Sequence, residues 1–195
     1  KSKMNYEQAL ERHVFYQKTL KPQIKNLHEG EMRLHAEKKA FMRQGVHHLN
    51  VVIPHSNLSQ EEKDKSTKKL TQVMKKGTDR LVFHRNTIDC LSNLYKEDYE
   101  NSVISFHKLK ESAYILIEDP EMCKTCNSVT KEGENVKSMK GEAAYLFICN
   151  DIKHKIEVFE KYIVMLGDID GEVKGILKAG KKMNKRKGKK NREKK

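Results

Sequence analysis

Cys123-Lys-Thr-Cys126, followed by Cys149 and His154, is the set of side chains in this chain with the most chemical potential. Thiolates two residues apart with a later Cys and His can hold zinc tetrahedrally. Spacing argues against closing that site, because Cys149 and His154 are five residues apart on one helical stretch, about 140° around its axis. The segment between the pairs also lacks the alternation that a zinc-ribbon hairpin requires. We therefore expect reduced or loosely paired Cys123 and Cys126, with Cys90 and Cys149 as small core residues beside apolar seams. No cofactor is expected, zinc being the one alternative. The nine histidines, among them His28, His35, His47, His48, His84 and His107, are scattered along different helical stretches, and only a folded bundle could gather them.

Arg43-Gln-Gly-Val-His-His48 is the second candidate. An Arg with a His five positions on resembles the R-x4-H motif of the HEPN-domain ribonucleases, all-α proteins that cut RNA without a metal. That resemblance covers six residues. It implies that Arg43 holds phosphate charge and His48 transfers the proton. Gly45 inside the motif departs from the pattern, and the same residues also suit a helix C-terminus, where cations complement the dipole. The chain contains no H-E-x-x-H, no E-x-x-H pair, no phosphate-binding Gly loop and no G-x-S-x-G. It is read as non-enzymatic.

The strongest signal is charge. Residues 174–195 hold ten lysines, Arg186 and Arg192 against one acid, Glu193, which gives +11 of the chain's formal +13. Lys181, Lys182, Lys185, Arg186, Lys187, Lys189, Lys190 and Arg192 are the candidate polyanion-binding residues, with nucleic acid the first partner expected. Lys185 to Lys190 also fit a nuclear localisation signal, with Lys181 and Lys182 adjoining. No apolar residue follows Met183, so the segment is expected to be a disordered arm. It contains no aromatic residue to stack on bases, so sequence-independent binding is expected.

The elements that position these residues read as helix nearly throughout. Ser59 with Glu62 forms a capping box, and from there Leu70, Met74, Gly77, Leu81, His84, Ile88, Leu91 and Tyr95 trace an a/d seam interrupted by a Gly and a His. Tyr99, Val103, Phe106, Ala113 and Ile117 continue the period to Pro120. Lys96-Glu97-Asp98 reads equally as a turn or as helix. Upstream, Tyr6, Leu10, Val14, Leu20, Ile24, Leu27, Leu34 and Phe41 form a stripe in which Pro22 must kink the helix or open a new one. Val51 to Ile53 reads as a short extended run. Tyr145, Ile148, Ile152, Ile156, Phe159, Ile163 and Leu166 make the cleanest stripe, ending at Gly167. Between the last two helices lies a polar loop, 118–141. The Lys63 to Lys76 group, interspersed with Glu61, Glu62 and Asp64, reads as a solvated face.

The fold class expected is an all-α, elongated bundle of three to five long amphipathic helices over residues 1–173, followed by the basic tail 174–195. About 170 residues suffice for one domain. Oligomerisation through the seams, or a helical protein partner, is expected. No window reaches 18 apolar residues, so no membrane span is expected. The chain opens on Lys1 rather than Met, which leaves a removed leader open. Four irregularly spaced cysteines suit a reducing compartment, nuclear or cytoplasmic. Three long helices also resemble the layout of BAR and related curvature-binding domains, which implies anionic lipid at a membrane surface as an alternative partner. Protein purified under reducing conditions is expected to carry far less than one zinc per chain by metal analysis; stoichiometric zinc that survives dialysis would reverse this reading of the cysteines.

Overall fold

The computed structural model describes residues 4–117 and 142–194, and among these every regular element is helical. Four helices alternate in direction. Helix α1 spans 6–52, α2 is Gln60–Tyr95, α3 is Tyr99–Ile117 and α4 spans 142–193. Contacts fix the antiparallel order: Gln23 with Tyr162 and Glu31 with Lys155 for α1 and α4, Asn86 with Ser112 and Asn93 with Ser105 for α2 and α3. The core lies where all four overlap. Tyr16, Leu20 and Ile24 of α1 meet Phe83, Leu91 and Leu94 of α2, Phe106, Leu109 and Leu116 of α3, and Ile152, Phe159, Leu166, Ile169 and Val173 of α4.

Local signals explain the boundaries. Ser59 caps α2 reciprocally with Glu62, as the sequence implied, and Asn5 caps α1 in the same way with Gln8, which the sequence reading did not pick out. Pro22 stands in the first turn of a fresh α-helical stretch, Lys21–His47, one of the two outcomes expected of it, although the backbone stays helical through the junction. A π turn, Tyr16–Leu20, precedes it and shifts the backbone pairing so that Lys21 N–H reaches the Tyr16 carbonyl, five residues back. The helix thus absorbs the missing proline donor without a break. At Lys96 to Asp98 the chain turns. Glu97 takes φ 59°, a left-handed value that a side chain disfavours. Its carboxylate is held from α1 by Gln17 Nε2 at 2.7 Å and Lys21 Nζ at 3.2 Å. Asp98 then caps α3 through the Asn101 N–H.

Several expectations are corrected. Val51 and Val52 are not extended: they lie in a π turn, His48–Val52, that closes α1, and Ile53 is buried beside it. Propagating an existing helix through β-branched residues costs only tenths of a kcal/mol each, roughly, which packing of Ile53 offsets. Gly167 does not end its helix. The chain continues through a second π turn, Ile169–Val173, into Lys174–Glu193. Gly167 serves packing instead, since a Cβ there would lie 2.9 Å from the Tyr99 ring. The basic segment expected to be disordered is therefore helical, propagated from the packed Ile169 and Val173, with lysine and arginine as good helix formers. Residues 118–141, including Cys123 and Cys126, lie outside the described residues.

The α1 stripe is also rotated from the expected one. Leu20 and Ile24 are buried as expected, but Tyr6, Leu10, Val14, Leu27, Leu34 and Phe41 are exposed, and Ala9, Tyr16, Glu31 and Gly45 take the buried places. The α2 seam packs within the chain against α1, with Met74 and His84 meeting Gly45 and Glu31. Its interrupting glycine is a hole. A Cβ at Gly77 would lie 2.6 Å from Met42 Sδ, and one at Gly45 would collide with Met74. Each methionine thus enters the space above the other helix's glycine. Gly45→Val is expected to cost about 1–3 kcal/mol despite glycine's poor helix propensity. Met74→Ala should then cost less in that background than in the wild type, a coupling readable by urea denaturation.

Candidate polyanion-binding helix

The last helix has two parts of opposite charge. Residues 142–173 carry seven acids and three lysines, while 174–195 carry the +11 noted above. The acidic part is packed, its Ile152, Phe159, Leu166, Ile169 and Val173 entering the core. Antiparallel seating on α1 carries it to the start of that helix, where Glu172 reaches the Met4 N–H at 3.5 Å and Gly180 lies against the Tyr6 ring. Beyond Gly180 the described part of α1 has ended. Residues 181–194 are all exposed, so the helix runs on for about 20 Å with no packed side chain.

At about 100° per residue, Lys181, Arg192, Lys185, Lys189, Lys182 and Arg186 fall within an arc of about 140°. Lys187 and Lys190 lie on the opposite side with Met183, which is 58% exposed. All eight residues expected to bind a polyanion are thus brought onto one solvated rod, six of them as one ridge. No salt bridge holds any of them among the described residues, and the ridge presents its ammonium and guanidinium groups to water.

The other sequence candidates are not assembled. Arg43 and His48 are both exposed on α1, about 140° apart, on different sides of the helix. Cys149 is buried while His154, on the same helix, is exposed. Among the described residues no three His, Cys, Asp or Glu side chains gather as a metal site. Cys90 is fully buried and its thiol is pushed up to about 12, first by burial and also by the Asp89 charge, which leaves it protonated and unreactive at neutral pH. A groove between α1 and α4 is lined by Phe15, Tyr16, Leu20, Met165 and Ile169. Its Arg12 and Asp168 form an exposed pair at 3.7 Å rather than a catalytic set.

Sequence reasoning missed the polar groups that set where α4 sits. Glu31 is 6% exposed and accepts from His84 Nδ1 at 2.7 Å and from Lys155 Nζ at 3.0 Å, joining α1, α2 and α4. Since the carboxylate can only accept, the His84 proton sits on Nδ1. Burial by itself would raise the Glu31 carboxyl, but the His84 hydrogen bond and the charges of Lys155 and His84 outweigh it and hold it below its ordinary value. The usable signal was a Glu on the buried side of the α1 helix, in register with His84 of the α2 seam.

The chain matches no family model, no curated protein and no solved structure.

Because Glu31 is depressed, its contribution to stability is present in full above the unfolded value near 4.5 and is lost as pH falls below it through the folded value. Glu31→Gln is expected to cost about 1–3 kcal/mol at neutral pH. The gap between variant and wild type should close on acidification below pH 4.5, as followed by denaturant melts at several pH values.

Proposed function

We propose that this chain is a non-enzymatic helical scaffold that holds out a cationic helix to nucleic acid, gripping the phosphate backbone without reading sequence. The observation that carries the reading is the ridge of Lys181, Lys182, Lys185, Arg186, Lys189 and Arg192 on a helix that has left the body. Six basic side chains on one arc can each neutralise a phosphate and release condensed counterions, and that release supplies the affinity. Helical order strengthens the case, because the charges are already aligned and less entropy is lost on binding than from a coil.

Several features favour phosphate contact over sequence readout. No aromatic residue lies in 174–195, so no base can stack there. A single helix about 10–12 Å across can lie along a duplex major groove about 12 Å wide with its long lysine and arginine side chains reaching the phosphates on its rims. Membrane insertion is disfavoured by the same residues, since beyond Leu177 Met183 is the one large apolar side chain. No helix among the described residues is long and apolar enough to cross a membrane.

Deleting 181–195 should leave the helical circular dichroism and melting of the body nearly unchanged while removing most affinity for duplex. For the full chain, affinity should fall about a thousandfold between 50 and 200 mM salt if six phosphates are neutralised, with little dependence on sequence. A truncated body that binds duplex as tightly as the full chain would overturn the proposal. So would tighter binding of the full, nuclease-treated chain to anionic vesicles than to duplex.

A further inference from the structure

The side of α4 turned away from the bundle carries a pattern that the described residues of the single chain do not use. At steps of three and four residues, Glu157, Glu160, Val164, Asp168, Gly171, Gly175, Ala179, Met183, Lys187 and Lys190 follow one another, and all are exposed. The stripe is acidic at its start and basic at its end. It has one large apolar residue in each half, Val164 at 59% and Met183 at 58% exposure. Gly171 and Gly175 lie near its middle, and no atom of the described residues comes within 4 Å of a Cβ built on either. The body therefore gives no reason for glycine at these positions.

We infer that this stripe is the interface between two copies of the chain, which pair through α4 in antiparallel fashion about a two-fold axis near residues 173 and 174. The occupant follows from charge complementarity. Reversing the stripe upon itself sets Glu157 opposite Lys190, Glu160 opposite Lys187, Val164 opposite Met183, and Asp168 opposite Ala179. A two-fold makes each pairing occur twice. The acids of one copy thus meet the bases of the other, and the two exposed apolar residues cover each other. The glycines fall at the centre, where two helices approach closest. A parallel pairing would instead place acid on acid and base on base over the same length. The stripe from 157 to 190 is about 50 Å long, comparable to an extended two-stranded coiled coil.

The pairing leaves the six-residue ridge free, because Lys181, Lys182, Lys185, Lys189 and Arg192 lie on the other side of the helix and Arg186 at its edge. It also gives the projecting helix a surface to rest on, namely residues 157–168 of the partner. The inference stands independently of nucleic-acid binding and is tested without any polyanion.

Nuclease-treated full-length protein should show the mass of a dimer by light scattering at micromolar concentration, with the dimer weakening as salt rises. The double variant Val164→Asp with Met183→Asp should run as a monomer of unchanged helicity. Glu157→Lys with Glu160→Lys should also be monomeric, because like charges then face each other. Adding Lys187→Glu and Lys190→Glu to that variant should restore the dimer, as a purely structural role would not. A wild-type monomer at high concentration would overturn the inference. So would a dimer indifferent to Asp at both apolar positions, or a fourfold charge exchange that stays as monomeric as the twofold one.

Discussion

Glu31 sits where α1, α2 and α4 meet, and its position limits what the rest of the chain can do. A carboxylate buried to 6% exposure must have its charge answered. His84 from α2 and Lys155 from α4 supply the answer at 2.7 and 3.0 Å. Any slip of α4 by one helical turn, about 5.4 Å, would strand that charge. Apolar packing alone specifies register less sharply, because the α4 stripe of Ile152, Ile156, Phe159, Ile163 and Leu166 would bury similar area one turn away. The ion pair thus sets where α4 leaves the bundle, and so which residues form the projecting helix.

A comparable restriction operates between α2 and α3. Asn86 and Asn93, seven residues apart, each donate to a serine hydroxyl and a main-chain carbonyl of α3: Ser112 and Lys108 for the first, Ser105 and Asn101 for the second. Each serine also bonds back to its own helix. The repeat locks the hairpin in register while Cys90, Ser102 and Ala113 let the helices approach closely. Glu97 completes the arrangement from the turn, where its unfavourable φ is offset by hydrogen bonds to Gln17 and Lys21. With two such polar clamps fixing the hairpin and one buried triad fixing α4, the apolar core is free to be small. A chain with 36% hydrophobic and 34% charged residues needs that division of labour.

Helix class was legible from the sequence because period survives without knowledge of partners. Met74, Ile88 and Leu91 of the α2 seam and Ile152, Phe159, Ile163 and Leu166 of the last stripe are buried where periodicity placed them, although Tyr95 at the end of the seam is exposed, and Ser59 caps where its Glu62 partner said it should. The α1 stripe was misread for a physical reason. Beside Tyr16, Leu20 and Ile24 its buried side uses Ala9, Glu31, Gly45 and the half-buried His13, residues that score as polar or small, whereas Leu27, Leu34 and Phe41 score as core and are exposed. Gly167 was misread as a helix end, and the packing roles of Gly45 and Gly77 were not foreseen. In each case the glycine receives a methionine or tyrosine from a neighbouring helix, and such a close approach exists only in three dimensions.

The site itself was legible as composition but not as shape. Charge counting located the basic residues and could not tell a coil from a rod, since that depends on whether a helix has already been nucleated upstream. Ile169 and Val173, both essentially inaccessible, provide that nucleus, so adding each further turn requires propagation alone. Glycines at 175, 180 and 188 work against this at about 1 kcal/mol apiece, and lysine and arginine favour it only modestly. Twelve cations on one segment also repel one another. A helix with no buried residue and such self-repulsion gains most from whatever neutralises it. The two partners inferred for it, phosphate on the ridge and a second copy's acids on the opposite stripe, act on different sides of the same rod. Each would make the other easier, because ordering entropy lost to the first is not lost again to the second.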